Sequence, residues 1–313
     1  MKTTTFSIVT VLFVLIFAAL THFVTNEYYF FVAYVVLQFI VLSTAWNILG
    51  GYTGYVNFGT AAFFALGAYS SVVLNKLLGL PIPVLMLVGG VISGLMGLGM
   101  GYLTLRLRGV FFSIATLALA IVLQTFIVNW DFVGGSRGIY IMRPEQVPIF
   151  NDFVEYLYFI MLVLAGIAVA TARAIERSTL GYGFTAIRNN ETAAEACGVP
   201  TLRLKLIATV VSGALMGMAG ASYPYYVTYL DPTSAFSLVY AVNAIAMPVI
   251  GGTTSWIGPL VGAVLLSISQ QIATVTISSA ANLLIVGLLL VAFVIMAPKG
   301  IVGLVQQRLR PRR

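Results

Sequence analysis

Acid–base, nucleophilic and metal chemistry draw on histidine, cysteine and clustered carboxylates, and this chain has little of each. It carries one histidine, one cysteine and nine carboxylates in 313 residues. His22 lies near the end of an apolar run and reads as an interfacial anchor. Cys197 ends a short polar helix and reads as a small packing residue. One cysteine and one histidine are too few for a structural zinc site. No Gly-Lys dipeptide occurs, so the chain has no Walker A loop and no means of hydrolysing ATP by itself. Glu27, Asp131, Glu145, Asp152, Glu155 and Asp231 fall between apolar runs or at their ends, and Glu176, Glu191 and Glu195 lie in one polar interval. None sits in the middle of a run, where a proton-coupled transporter would hold one. That argues against ion coupling and against a cationic cargo, although sodium sites built from carbonyls and hydroxyls stay open. The expectation is a chain that binds and moves rather than one that catalyses, with no metal or cofactor of its own.

Two stretches have the composition to do that work. The first is the polar interval 173–205, too polar for a bilayer and too short for a domain. Its signals fit one or two short helices: Asn190 suits an N-cap, Glu191 falls in the first turn, Gly198 suits the position after the C-cap, and Pro200 stops continuation. A short alanine-rich helix is marginal alone in water, so it should pack on something. The second stretch is 50–59, with Gly50, Gly51, Thr53, Gly54, Asn57 and Gly59 around two tyrosines. Glycines at that density break a helix and free backbone groups, which membrane depth tolerates only against protein or a watery cavity. Two readings stand: a gate or solute contact, or an ordinary cytoplasmic turn. A similar join recurs at 250–257, with Gly252 and Thr253, and permits an internal duplication in parallel orientation.

The elements that must position these stretches are membrane spans. The sequence is 60% hydrophobic and 8% charged, with mean hydropathy +1.02, whereas soluble domains carry roughly 25% charged residues. Apolar runs at 6–24, 28–49, 59–75, 82–105, 110–129, 153–172, 204–222, 236–251, 258–276 and 280–297 are of spanning length. They predict an all-α polytopic membrane protein of about ten transmembrane helices, one domain over 1–313. The first run reads as a retained span, because it is longer than a signal-peptide core and only Lys2 precedes it. With both termini inside, thirteen of the sixteen basic residues are cytoplasmic; Lys76, Arg137 and Arg143 are outside. The positive-inside rule favours that orientation. It makes 173–205 a cytoplasmic loop and 298–313 a basic cytoplasmic tail, and explains the net charge of +7 without nucleic acid. Small-xxx-small spacings (Gly90/Gly94, Gly97/Gly101, Gly213/Gly217) suit close helix packing. The outer loop 130–152 reads as a turn-rich connector or a docking surface for an external partner.

Several of these blocks resemble one family. Gly51-Tyr-Thr-Gly-Tyr-Val-Asn-Phe-Gly-Thr-Ala-Ala-Phe-Phe-Ala-Leu-Gly-Ala-Tyr69 is similar to the signature of branched-chain amino-acid ABC importer permeases of the M type. So are 106–120, the Gly134-Gly-Ser-Arg-Gly138 turn and 249–263. Residues 183–198 resemble the family's ATPase-facing loop, a variant of its Glu-Ala-Ala…Gly motif with one residue inserted after Glu191. The family often has Gln, Ser and His where this chain has Tyr55, Asn57 and Thr60. The resemblance implies a type II ABC importer permease fold in a plasma (inner) membrane. It also implies a homologous permease partner, two cytoplasmic ATPase subunits that bind ATP and Mg, and an extracytoplasmic solute-binding protein. Arg188, Glu191, Ala193, Ala194 and Gly198 are then expected to couple to the ATPase, with Ala193 and Ala194 as its small contact face. Gly51, Thr53, Gly54, Asn57, Gly59, Gly252 and Thr253 are expected at the pathway or gate. The cargo implied is a neutral, largely apolar amino acid, with urea, an amide or another small solute as the alternative. An ion-coupled secondary transporter would explain the spans but not the coupling-type loop, and a membrane transferase would need acid–base groups that do not cluster here.

Overall fold

The computed structural model describes residues 26–104, 106–107, 109–143, 150, 152–276, scattered positions between 284 and 295, and 300–309. The expected first span, most of the tenth and both ends of the basic tail lie outside the described residues. Twelve α-helices are bounded within them: α1 (Glu27–Thr53), α2 (Thr60–Leu78), α3 (Ile82–Thr104), α4 (Val110–Val128), α5 (Phe153–Glu176), α6 (Thr179–Asn189), α7 (Glu191–Ala196), α8 (Thr201–Val227), α9 (Pro232–Ala235), α10 (Leu238–Gly251), α11 (Ile257–Thr276) and α12 (Gly300–Leu309). Two short strands, β1 (Ile139–Tyr140) and β2 (Tyr229–Leu230), pair antiparallel. Eight helices, with α9 and α10 counted as one, are long and apolar enough to cross a membrane. They coincide with the second to ninth expected spans.

Helix α1 is the axis of the bundle. Its residues from Gln38 to Thr53 are buried on every side, the pattern of a helix enclosed by others, and α5, α8, α10 and α11 surround it. Asn26 caps its start, its side chain accepting from Tyr28 N at 3.0 Å. Polar side chains pin it to its neighbours: Tyr34 shares a 2.8 Å hydrogen bond with Ser222 of α8, and Ser43 donates to the Pro259 carbonyl of α11 at 3.3 Å. Each such bond satisfies a polar group that lipid could not.

Small residues set the second contact, where α2 and α3 cross α8. A β-carbon on Gly67 would lie 2.0 Å from the Gly217 carbonyl oxygen, and one on Gly220 would lie 1.9 Å from that of Phe64. On α3, Gly90 faces Met218 and Gly94 faces Ala214. With lipid on both sides of the comparison, helix association rests on such close backbone approach rather than on apolar burial. Outward, α3 and α4 expose Leu87, Val91, Leu95, Leu103, Phe111, Val122 and Phe126, an apolar surface far too continuous for water.

The basic residues sort by end of the bundle. Lys76, Arg137 and Arg143 gather at one end: Lys76 donates to the Phe132 carbonyl (2.9 Å) and Arg143 to those of Tyr225 and Tyr226 (2.9 and 2.6 Å), beside the β1–β2 pair. Arg173, Arg188 and Lys205 gather at the other, with the C-terminus of α1.

One boundary differs from expectation. The Gly50-Gly51 pair does not break α1, which runs on to Thr53 and ends at Gly54 with φ 81°. Those two glycines serve packing instead. A β-carbon on Gly50 would strike the Trp46 ring at 2.5 Å, and one on Gly51 would lie 2.8 Å from the Thr253 carbonyl.

Candidate functional site

The two stretches singled out by composition meet at one end of the bundle. Gly54 turns the chain out of α1 in the left-handed region, where a β-carbon costs about 1–2 kcal/mol. Residues 54–58 then run without regular structure to α2. They do not simply cross the surface. Trp46 Nε1 donates to the Asn57 carbonyl at 2.8 Å, and the Trp46 ring lies against Gly50. The segment therefore folds back along the last turn of α1. Asn57 is fully buried, its Oδ1 accepting from Gly59 N at 2.7 Å. Helix α4 holds the outer edge: Thr116 Oγ1 accepts from Phe58 N (3.1 Å), and Ser113 donates to the Val56 carbonyl (2.8 Å). Protein groups thus meet the inner side of this irregular backbone, while Gly54 and Val56 stay exposed.

The polar interval forms two helices, α6 and α7, on the same end. Asn190 caps α7, its Oδ1 accepting from Ala193 N at 3.0 Å. Gly198 lies at φ 82°, and the bonds Gly198 N to Glu195 O (2.9 Å) and Val199 N to Ala194 O (3.0 Å) complete a Schellman turn. A short helix thus has both ends capped before any partner arrives.

Its inner face is fastened by a buried polar triad. Glu191 Oε1 pairs with Lys205 Nζ at 2.6 Å, the Tyr55 hydroxyl donates to Glu191 Oε2, and Lys205 Nζ donates to the Tyr55 oxygen at 3.1 Å. Lys205 is 3% exposed. Taking two charges out of water is offset only by good geometry and further hydrogen bonds, and this triad supplies both. It joins three elements: α7 through Glu191, the start of α8 through Lys205, and the re-entrant segment through Tyr55. A second fastening lies beside it. Arg188 Nη1 donates to the Gly51 carbonyl at 2.9 Å, setting a guanidinium on the C-terminal carbonyls of α1, where the helix dipole favours a cation. Glu176 Oε2 accepts from Trp256 N at 2.7 Å and from the Tyr52 hydroxyl at 3.4 Å, and the Arg173 guanidinium lies over the Trp256 ring.

The expected site residues divide accordingly. Arg188, Gly51 and Gly54 come together, and Gly51 abuts Thr253, so the two glycine-rich joins meet. Gly252 ends α10 with φ 120°, and Thr53 returns its hydroxyl to the Leu49 carbonyl of its own helix (2.6 Å). Ala193 and Ala194 do not form one face. Ala193 is exposed, whereas Ala194 is buried against the chain itself, because it lies one turn from Glu191 on the inner side. The outward residues include Thr192, Ala193 and Ala196. Cys197, expected to pack, is exposed. Sequence reasoning misses Lys205 and Tyr55 as a pair. The legible signal is a lysine near the start of an apolar helix, a position that the helix dipole disfavours unless an anion accompanies it. Among the described residues no group of three histidine, cysteine or carboxylate side chains could hold a metal ion.

Comparison with known proteins places this architecture. The family described as the branched-chain amino acid transport system permease component matches residues 28–294. The chain is 26% identical to the high-affinity branched-chain amino acid transport system permease protein LivM of Salmonella typhimurium, over 89% of this chain and 71% of that protein. It is 24% identical to a probable branched-chain amino acid transport permease protein LivH of Methanocaldococcus jannaschii, over 82% and 86%. A nucleoside ABC transporter permease protein, NupB of Lactococcus lactis, is 32% identical over 35% of this chain and 30% of its own. No solved structure gives a significant match. A bundle of apolar spans, a re-entrant segment and a capped helix fastened to it, together with a family match over most of the sequence, lead to one conclusion: this chain belongs to the branched-chain amino acid transport system permease family.

Proposed function

We propose that the chain is the permease subunit of an ATP-driven importer for neutral amino acids, coupled to separate ATPase subunits through α7. The observation that carries this reading is the fastening of α7. Its outer face is small and exposed, and its inner face is tied by Glu191 to Lys205 and Tyr55. Anything that grips the outer face therefore moves the start of α8 and the 54–59 segment with it. The partners are a homologous permease subunit, two ATPase subunits that bind ATP and Mg, and an extracytoplasmic solute-binding protein. The end that carries Arg173, Arg188 and Lys205 faces the cytoplasm, as do both termini, in a plasma (inner) membrane. ATP closes the ATPase pair, the pair displaces α7, and the triad passes the displacement to the segment at the foot of the spans. ATP shifts the permease only through docking that differs between its two states.

Ala193→Asp tests the outer face. It sets a carboxylate where the ATPase should seat, and an unpaired charge buried at an interface costs several kcal/mol. The same substitution on the exposed helix of the free chain costs about 0.7 kcal/mol or less. The variant should insert normally but lose the ATPase on co-purification from membranes. Retained ATPase binding with unchanged stimulated hydrolysis would make α7 a solvated connector. Ala194 is unsuited to this test, since a charge there would disrupt the permease itself.

A further inference from the structure

Helix α2 starts without a side-chain cap. The N–H groups of Ala62 and Phe63 turn back to the Gly59 carbonyl at 3.0 and 3.2 Å. Those of Thr60 and Ala61 come before them and have no carbonyl of their own helix to reach. The start of this 19-residue helix is also the positive end of its dipole. Two side chains there, both fully buried, hold polar atoms that meet nothing among the described residues: the Asn57 amide nitrogen and the Thr60 hydroxyl. Most buried polar atoms are hydrogen-bonded. Two donors left over on one helix start therefore ask for a group that accepts from both.

The Asn57 amide does not resolve this by turning over. Its Oδ1 accepts from Gly59 N at 2.7 Å, and exchanging its two ends would set Nδ2 against that N–H, donor to donor. The same bond holds the amide at the first turn of α2. Trp46 Nε1 fixes the backbone of this residue from the other side, donating to the Asn57 carbonyl at 2.8 Å. The Met100 methyl and the Thr116 carbonyl stand beside Gly59. Glu191 meets the segment two residues earlier, at Tyr55, and Lys205 offsets its charge there. An amide N–H, a hydroxyl and the N–H groups of a helix start are all donors, the arrangement that holds an anion at a helix N-terminus.

We propose that the start of α2, with Asn57 Nδ2 and Thr60 Oγ1, is a carboxylate site that receives the carboxylate of the transported amino acid. Such a site takes a monocarboxylate and passes over an amide or urea, which offer no anion. It is closed in this structure, because neither Asn57 nor Thr60 has exposed surface. The segment that carries Asn57 is tied to α7 through Tyr55, so displacement of α7 opens and closes the site. The proposal rests on the importer reading only in taking the bearer of the carboxylate to be the cargo.

Asn57→Asp tests the site. An aspartate oxygen still accepts from Gly59 N, and the added charge takes the place of the ligand's own. Because a helix N-terminus favours an anion, the solubilised variant should melt no more than about 2 °C below the wild type. Uptake of labelled leucine by the reconstituted transporter should fall at least about tenfold, since like charges set side by side repel. Thr60→Val, of equal size, should keep its melting temperature and lose uptake by about threefold or more. Binding is read separately on the solubilised chain. Sodium isovalerate should raise the wild-type melting temperature above that in equal sodium chloride, isovaleramide should not, and Asn57→Asp should remove the rise. A large drop in melting temperature for Asn57→Asp would mean that this helix start does not accommodate a negative charge, and the site would be rejected. Full uptake by the well-folded variant, or no rise with isovalerate in the wild type, would reject it equally and leave ATP coupling untouched. Uptake that proves to be gradient-driven, with the isovalerate rise intact, would overturn the importer reading and leave the site standing.

Discussion

Lys205→Met should abolish uptake while leaving the chain in the membrane. The lysine is buried and pairs with Glu191 at 2.6 Å, so removing it takes the cation from a part-buried carboxylate and leaves it the Tyr55 hydroxyl. Breaking a buried pair from one side costs about 3–5 kcal/mol. Coupling between sites is typically worth ~1–3 kcal/mol, so a disturbance of that size at the joint should exceed what coupling can survive. Solubilised Lys205→Met protein should melt well below the wild type. The double variant Glu191→Gln/Lys205→Met removes both charges and leaves Tyr55 a neutral partner. It should recover most of the lost stability, because neutral replacement of a buried pair often costs little, yet uptake should stay low because α7 is no longer tied to α8. Uptake restored in the double variant would show that the triad stabilises but does not couple.

Gly67→Val should be among the most damaging single changes to the fold. A β-carbon there would meet the Gly217 carbonyl oxygen at 2.0 Å and the Gly217 carbonyl carbon at 2.7 Å. Both are backbone, so relief requires α2 and α8 to separate along a contact made of glycines. Overpacking of this kind costs about 1–3 kcal/mol, and more where backbone must move. The variant should be recovered in low yield and aggregate on detergent extraction. Gly99→Ala is the matched control: on α3 its β-carbon would meet nothing within 4 Å, and helix propensity favours alanine by up to about 1 kcal/mol. Equal behaviour of the two variants would remove glycine packing from the explanation of the bundle.

These residues mark what can be read in the sequence and what cannot. The eight described spans follow from hydropathy and length, since lipid imposes both on any crossing helix. The ends of α7 are legible because capping is local: Asn190 and Gly198 act on backbone groups within a turn of themselves. The Gly50-Gly51 pair misleads because glycine signals either a broken helix or a close approach, and only the position of Thr253, remote in the chain, decides between them. The direction of Ala194 is hidden for a related reason. Two adjacent alanines look alike until Glu191 is turned inward by Lys205, a contact set by the packing of α7 on α8. Tyr55 stands where the family often has another residue, and its hydrogen bonds to Glu191 and Lys205 depend on residues more than a hundred positions away, which no local pattern shows.

The most direct measurement is uptake by proteoliposomes that hold the chain with its permease partner and ATPase subunits, with binding protein outside and ATP inside. A labelled branched-chain amino acid should accumulate only when ATP and binding protein are both present. The Lys205→Met complex should accumulate none under the same conditions. Accumulation by the wild type without ATPase subunits, driven by an imposed proton or sodium gradient, would contradict the reading of this chain as an ATP-coupled permease.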